Sequence, residues 1–274
     1  MQVKIRSLLI TGIILLTVSF SSMSFANSIS KQLLKAADTK SSGNYVRKRF
    51  VSLMNKPFDT ESRQKKILII GDSHAQDFVN MVFESHNLSN YQISTRSIPT
   101  RCQPILGKNA TKFIAAKDKS FCAKSDSLAK AKPQITQADI VIIAANWTEK
   151  SAKELPITIN HLQLSTEQKL FIIGRKSFGK VSVRAYLHQS DQALRNLRNK
   201  VDAKQQKINT IMKNAVSASA FIDMQKLICD SSANCRVFSS DLKLISFDGG
   251  HLTKDGAEYL GNILFRNSQL NQLK

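Results

Sequence analysis

The stretch Lys66-Ile-Leu-Ile-Ile-Gly-Asp-Ser-His-Ala-Gln-Asp-Phe78 decides how the rest of the chain is read. Ile67 to Ile70 form a short, unbroken apolar run, the pattern of a strand covered on both faces as in a parallel sheet. Gly71 and Asp72 break the run, and from His74 onward Phe78, Met81 and Val82 are spaced for one face of a helix. Ser73 therefore falls at a strand-to-helix turn, at the carboxyl end of a strand and beside the positive end of a helix. In open α/β sheets that edge is where ligands bind. The stretch alone leaves Ser73 two roles: a nucleophile, or part of a helix N-cap with Asp72, since Ser and Asp are both favoured there.

Working outward, residues 91–97 alternate weakly and read as a second strand. Residues 139–145 form the clearest other apolar run, a central strand ending at Asn146-Trp147, and residues 169–174 repeat the strand-then-glycine form. A short last strand is expected at 220–224. Residues 149–163 suit a crossover helix, broken or restarted at Pro156. The spacing of Leu187, Leu194, Leu197, Val201, Ile208, Ile211 and Ala215 predicts one long amphipathic helix over 184–216, with Arg195, Arg198, Lys200, Lys204 and Lys207 on its solvated side. A final helix shows Ala257, Leu260, Ile263 and Leu264 on one face. Strands alternating with helices predict a doubly wound α/β sandwich over 65–274. Residues 27–64 read as a lead-in segment with a helix near 45–50 and no visible chemistry.

Residues 1–26 read as a cleaved secretory signal peptide. Lys4 and Arg6 make the charged start, 8–20 the apolar core, and Ser24-Phe25-Ala26 the small-x-small cleavage site. The expected location is the periplasm or the outside of the cell, with an uncleaved anchor as the lesser alternative. The remaining 248 residues suit one α/β domain with a full core. In an oxidising compartment the four cysteines are expected to pair locally, Cys102 with Cys122 and Cys229 with Cys235; the rival four-cysteine zinc site has no C-x-x-C spacing to support it. The chain carries a formal charge of +20, and removal of the leader with Lys4 and Arg6 leaves +18. Such a surface attracts acidic glycans or lipid phosphates and permits peripheral membrane contact. No nucleic-acid module is recognisable, and no nucleic-acid partner is expected.

Three predicted strand ends carry polar groups: Ser73, Asn146, and Asp248 with His251 just before the last helix. A serine becomes a useful nucleophile when an imidazole takes its proton and a carboxylate orients that imidazole. Asp248 and His251 lie three residues apart in a glycine-containing turn, so one segment can present the ring towards Ser73 while Asp248 holds its other nitrogen. The Asn146 amide and the Ser73 backbone N–H are the expected oxyanion donors. Neither a metal nor a cofactor is expected. His74 is read as lining the site edge, and His86, His161 and His188 as structural or exposed. Asn146-Trp147-Thr148 is also a formal glycosylation sequon.

These residues resemble the SGNH (GDSL-like) hydrolase superfamily: Gly71-Asp72-Ser73-His74, Asn146 at the third strand, and Asp248-x-x-His251 followed by Leu-Thr. More narrowly, with the Cys102-Gln-Pro loop and the Cys229…Cys235 pair, they resemble the extracytoplasmic SGNH domain of cell-envelope O-acyltransferases, over residues 66–260. The resemblance implies a three-layer α/β/α sandwich with a mostly parallel, flavodoxin-like sheet, a catalytic Ser73, Asp248 and His251, and Asn146 and Ser73 at the oxyanion. It implies a serine esterase or O-acyltransferase handling O-acyl groups, acetyl by family habit, on cell-envelope glycans. The implied partners are an acylated envelope polysaccharide or other ester and an integral membrane acyltransferase. The superfamily's second-block glycine has no match: Gly107 lies too far into the loop, and a backbone amide near Arg101 or Cys102 would have to substitute.

Three other readings compete. The elbow of α/β-hydrolases also places a serine at such a turn, but the chain before Ile67 leaves little room for that fold's early strands. A metallophosphoesterase could use Asp72-x-His74 with Asp248 and His251, but its further ligand motifs are missing. The third is a non-catalytic SGNH-like module that binds an acylated glycan beside a membrane acyltransferase.

Overall fold

The computed structural model describes residues 29–108, 110–229 and 233–273; the expected signal peptide over 1–26 lies outside the described residues. Five strands form the central sheet: β1 (Lys66–Gly71), β2 (Gln92–Ser97), β3 (Ile140–Ala144), β4 (Lys169–Ile173) and β6 (Phe221–Ile222), with β5 (Arg198–Lys200) falling between the last two in sequence. Their spatial order is β2-β1-β3-β4-β6 and every pairing is parallel. The sheet is therefore flavodoxin-like, as the resemblance implies, within the doubly wound sandwich that the alternation of elements predicts.

The unbroken apolar runs are explained by what covers each face. Ile67, Ile69 and Ile142 share a core with Phe50 of α1 (Thr39–Ser52), Phe78 and Val82 of α2 (Ser73–Glu84), and Leu260 and Leu264 of the last helix, Lys254–Asn267. Leu68, Ile70, Val141 and Ile143 point the other way. They pack on Leu128 and Ile135 of α3 (Leu128–Gln137), on the two-part crossover α4 (Glu149–Lys153) and α5 (Leu155–Leu162), and on Ile208 and Met212 of α6 (Ala203–Ala215). The last helix is α7. Each fully buried aliphatic side chain contributes about 1.5–3 kcal/mol, so strands sandwiched this way cannot alternate apolar with polar. Pro156 lies in the first turn of α5, where its missing N–H costs nothing, and it marks the expected restart of the crossover.

The chain departs from expectation over 184–216, where one helix was predicted. Val183–Tyr186 and Asp191–Asn196 are short helices, β5 follows, and only then does α6 begin. Local stop and start signals outweigh the apolar spacing: Ser190 caps the second short helix and Asp202 caps α6. Val201 turns into the core while its N–H bonds Ala233 O at 2.7 Å. The Asn199 amide donates to Phe178 O and Lys180 O, and β5 pairs antiparallel with β7 (Asn234–Arg236). Next to that ribbon lies the Cys229–Cys235 disulfide, and Cys102–Cys122 clips the 98–108 loop to a helical turn at Lys119–Lys124. Among the described residues no helix is long and apolar enough to cross a membrane.

The sheet order reverses at β1, whose neighbours are β2 on one side and β3 on the other. That switch point opens a crevice at the strands' carboxyl ends. Gly71 makes the crevice possible: its φ is +149°, and an added Cβ would meet the carbonyl oxygen of Ala144 in β3 at 1.8 Å. Gly71→Ala is therefore expected to force β1 and β3 apart. Overpacking of this kind costs about 1–3 kcal/mol. A lowered thermal midpoint, with Ser73 displaced from Asn146, would be the observable result.

Candidate active site

Asp72 organises the switch point. It is buried, and as N-cap of α2 its Oδ1 accepts the His74 N–H at 3.0 Å. Both of its oxygens also accept the Asn146 N–H, at 3.1 and 2.9 Å, and Oδ2 accepts the Thr100 hydroxyl at 2.6 Å. One carboxylate thus ties together the ends of β1 and β3 and the loop after β2. Sequence reading placed Asp72 only as a cap or a metal ligand. Its use as a brace depends on two groups, 28 and 74 residues away, that no local pattern announces.

Ser73 follows as the first residue of α2 and lines a cavity of about 200 Å³ together with Asn146, His74, Arg175 and His251. It also borders a second, larger groove with Gln76, Asp248 and His251. The fold thus brings together all four residues singled out from the sequence. Among the described residues the Ser73 hydroxyl has no hydrogen bond to the protein, and the same holds for the Asn146 side-chain amide. Asn146 is fixed through its backbone instead: its N–H bonds Asp72, and its carbonyl accepts Gln103 Nε2 at 3.3 Å.

Asp248 and His251 form a hydrogen-bonded pair, Nδ1 to Oδ2 at 2.6 Å. The other Asp248 oxygen accepts the Gly250 and His251 N–H groups at 2.8 and 2.7 Å, which closes the turn around the carboxylate. Burial pushes the Asp248 carboxyl up, but these bonds from His251 and Gly250 outweigh it and hold its pKa down at about 2. The same hydrogen bond raises the His251 pKa against the opposing effect of burial. With Nδ1 donating to a carboxylate, Nε2 is the ring's proton acceptor. The Phe247 ring stacks on the imidazole with centroids 6.0 Å apart, and Ser246 Oγ donates to His251 O at 2.6 Å. His74, beside Ser73, is held neutral by burial, with Lys176 and Arg175 pushing the same way.

Two supports escaped the sequence. Gln103, in a left-handed conformation at φ 53°, donates to Thr100 O and Asn146 O and accepts from Thr148 N and Ser151 Oγ. It braces the loop that carries Asn146. The Cys-Gln-Pro motif flagged this loop without showing that its glutamine turns inward. The second support is a buried ion pair, Lys176 Nζ to Asp77 Oδ2 at 2.6 Å, with side chains 1% and 0% exposed. Lys176 also donates to Gly250 O, and Asp77 Oδ1 accepts the Leu252 N–H at 3.1 Å. The helix bearing Ser73 is therefore fastened to the turn bearing His251.

Of the backbone amides near Arg101 or Cys102 expected to stand in for the second-block glycine, that of Cys102 is already bonded within its own turn. The Cys102 N–H is taken by Pro99 O at 2.8 Å, and the Arg101 side chain lies over the Phe121 ring, 4.1 Å from its centroid. Neither residue lines the Ser73 cavity. Gly107 packs towards Ile157 and His161 of α5. His161 Nδ1 pairs with Ile157 O, and His86 borders a separate surface cavity.

A family model described as "SGNH domain (fused to AT3 domains)" matches residues 39–266. No curated protein matches the chain. The match covers most of the described residues and takes in all of the sheet, the serine turn and the Asp–His turn. With a parallel β2-β1-β3-β4-β6 sheet and polar groups gathered at its switch point, this chain belongs to the SGNH domain family, of the kind fused to AT3 acyltransferase domains, and its role is that of a hydrolase or acyltransferase.

Proposed function

We propose that the protein is an exported serine esterase or O-acyltransferase acting on O-acyl groups, acetyl first among them, of a cell-envelope glycan. The observation that carries this reading is the Asp248–His251 hydrogen bond at 2.6 Å, with His251 bordering the same cavity as Ser73 at the start of α2. In this reading His251 Nε2 takes the Ser73 hydroxyl proton as Oγ attacks the ester carbonyl carbon. The carbonyl oxygen becomes an oxyanion, met by the Ser73 N–H and the Asn146 side-chain amide. Collapse breaks the bond to the alkoxy oxygen, and His251 gives the proton to that oxygen, which leaves as the sugar hydroxyl. The acyl group is left on Ser73. Water or another sugar hydroxyl then repeats the sequence in reverse, giving hydrolysis or transfer. Two disulfides support an oxidising compartment, and fusion of such domains to AT3 domains supports a membrane acyltransferase as partner.

The test is to incubate the purified protein with a chromogenic acetyl ester, stop the reaction early and look for an acetylated Ser73 peptide by mass spectrometry. Turnover with acetyl-Ser73 supports the reading. An inert protein that still binds acetylated glycan would replace it with the non-catalytic binding module. Asn146→Ala is expected to lower kcat by roughly 10²–10³, the usual effect of losing one oxyanion donor. An unchanged kcat would remove Asn146 from the reacting centre.

A further inference from the structure

One wall of the Ser73 cavity has no part in the acyl-transfer steps. The loop after β4 is locked on both sides: Asn209 of α6 bonds both the N–H and the C=O of Arg175, at 2.9 and 2.8 Å, and Gln225 does the same for Ser177, at 2.7 and 3.0 Å. Its middle residue, Lys176, is committed to Asp77 and Gly250. The Arg175 side chain is thereby held in one place, with Nη1 donating to Trp147 O at 2.9 Å and Nε buried without a partner. One helical turn before Asn209, Gln205 faces the same cavity. It is 3% exposed, its Nε2 is buried and unpaired, and its side-chain amide bonds nothing else in the protein among the described residues. The nearby carboxylate, Asp202, caps α6 by accepting the Lys204 N–H at 2.9 Å and makes no ion pair with Arg175.

A buried donor left without a hydrogen-bond partner is costly, and more so when it belongs to a charged group. Anchoring Nη1 on Trp147 leaves Nη2 as the free end of the guanidinium, a charge-assisted donor suited to a carboxylate. We propose that Arg175 and Gln205 form an anion subsite that holds a carboxylate carried by the ester substrate, making this a site for acidic rather than neutral acylated sugars. Burial pulls the Arg175 pKa down, with the Asp72 and Asp202 carboxylates opposing, and a bound carboxylate would add the hydrogen-bonded partner that neither of them supplies. The subsite rests on the acyl-serine reading for its place in the reaction, but not for its ability to bind.

The experiment compares an O-acetylated methyl glucuronide with the matching O-acetylated methyl glucoside. Wild type should favour the acid by about tenfold or more in kcat/KM, chiefly through KM, as hydrogen bonds to a charged group imply. Arg175→Gln should bring the ratio to near one. The near-isosteric Gln205→Glu should invert it, because the new carboxylate pairs with Arg175 and repels the ligand. A chromogenic hemisuccinate preferred over the acetate, with the two sugars equal, would place the carboxylate on the acyl side of the same subsite. Equal rates for both members of both pairs, with turnover still dependent on Ser73, would overturn the subsite and leave the esterase standing. If no ester is cleaved, titration of methyl glucuronide into the Ser73→Ala protein decides alone. Saturable binding lost in the Ser73→Ala/Arg175→Gln double variant keeps the subsite, and no binding ends it.

Discussion

Ser73→Ala is expected to fold like the wild type and to lose turnover of an acetyl ester by roughly 10⁴ or more. The fold should hold because capping of α2 rests on Asp72, not on Ser73, whose hydroxyl bonds nothing among the described residues. The loss should be large because no other hydroxyl among the described residues shares both the α2 terminus and the His251 cavity. Asp248→Asn should approach the same loss, since an amide in that place no longer sets Nδ1 as the donor and Nε2 as the acceptor. The pair acts as a unit, so the double variant should be hardly worse than either single one. The pH profile gives a separate reading. A general base works when neutral, and the hydrogen bond to Asp248 raises the His251 pKa above its ordinary 6.5, so the acid limb of kcat/KM should lie above that pH. In Asp248→Asn the limb should move down. A wild-type limb at or below the ordinary histidine value would separate the activity from this imidazole.

The second large effect concerns stability. Lys176→Met leaves Asp77 as a buried, uncompensated carboxylate, a change that costs about 3–5 kcal/mol. For a domain of this size that is a fall of roughly 6–20 °C in thermal midpoint. Asp77→Leu with Lys176→Met removes both charges and should recover most of the stability, because a buried pair is often no better than apolar residues of similar volume. Turnover should not recover with it. The double variant still lacks the donor to Gly250 O and the acceptor for Leu252 N–H, the two anchors on either side of His251. Stability restored with kcat still depressed would identify the pair as a positioning device. Full recovery of kcat would reduce it to packing.

Much of this architecture is legible residue by residue. Ile67–Ile70 and Ile140–Ile143 must be doubly covered strands, because an unbroken aliphatic run can satisfy only a layer buried on both faces. Gly71 after the first run and Pro156 at the crossover punctuate the chain through their own backbone limits. The helix predicted over 184–216 failed for a related reason. Its leucine spacing fitted a helix, yet Ser190 and Asp202 were start signals, and Val201 and Asn199 were claimed by a ribbon whose other strand lies more than thirty residues on.

The site divides in the same way. Sequence alone determined the chemistry on offer, namely Ser73 at a strand end, Asp248 three residues before His251, and Asn146 after a central strand, because those groups are set by short-range spacing. Only the tertiary structure decided what holds them. Asp72 reaching Thr100 and Asn146, Gln103 under the Asn146 loop, Lys176 paired with Asp77, and Gln205 and Arg175 lining one cavity all join distant segments. A polar side chain carries no local mark of whether it will be buried or of which partner will satisfy it. That is settled when the strands line up and bring their ends together.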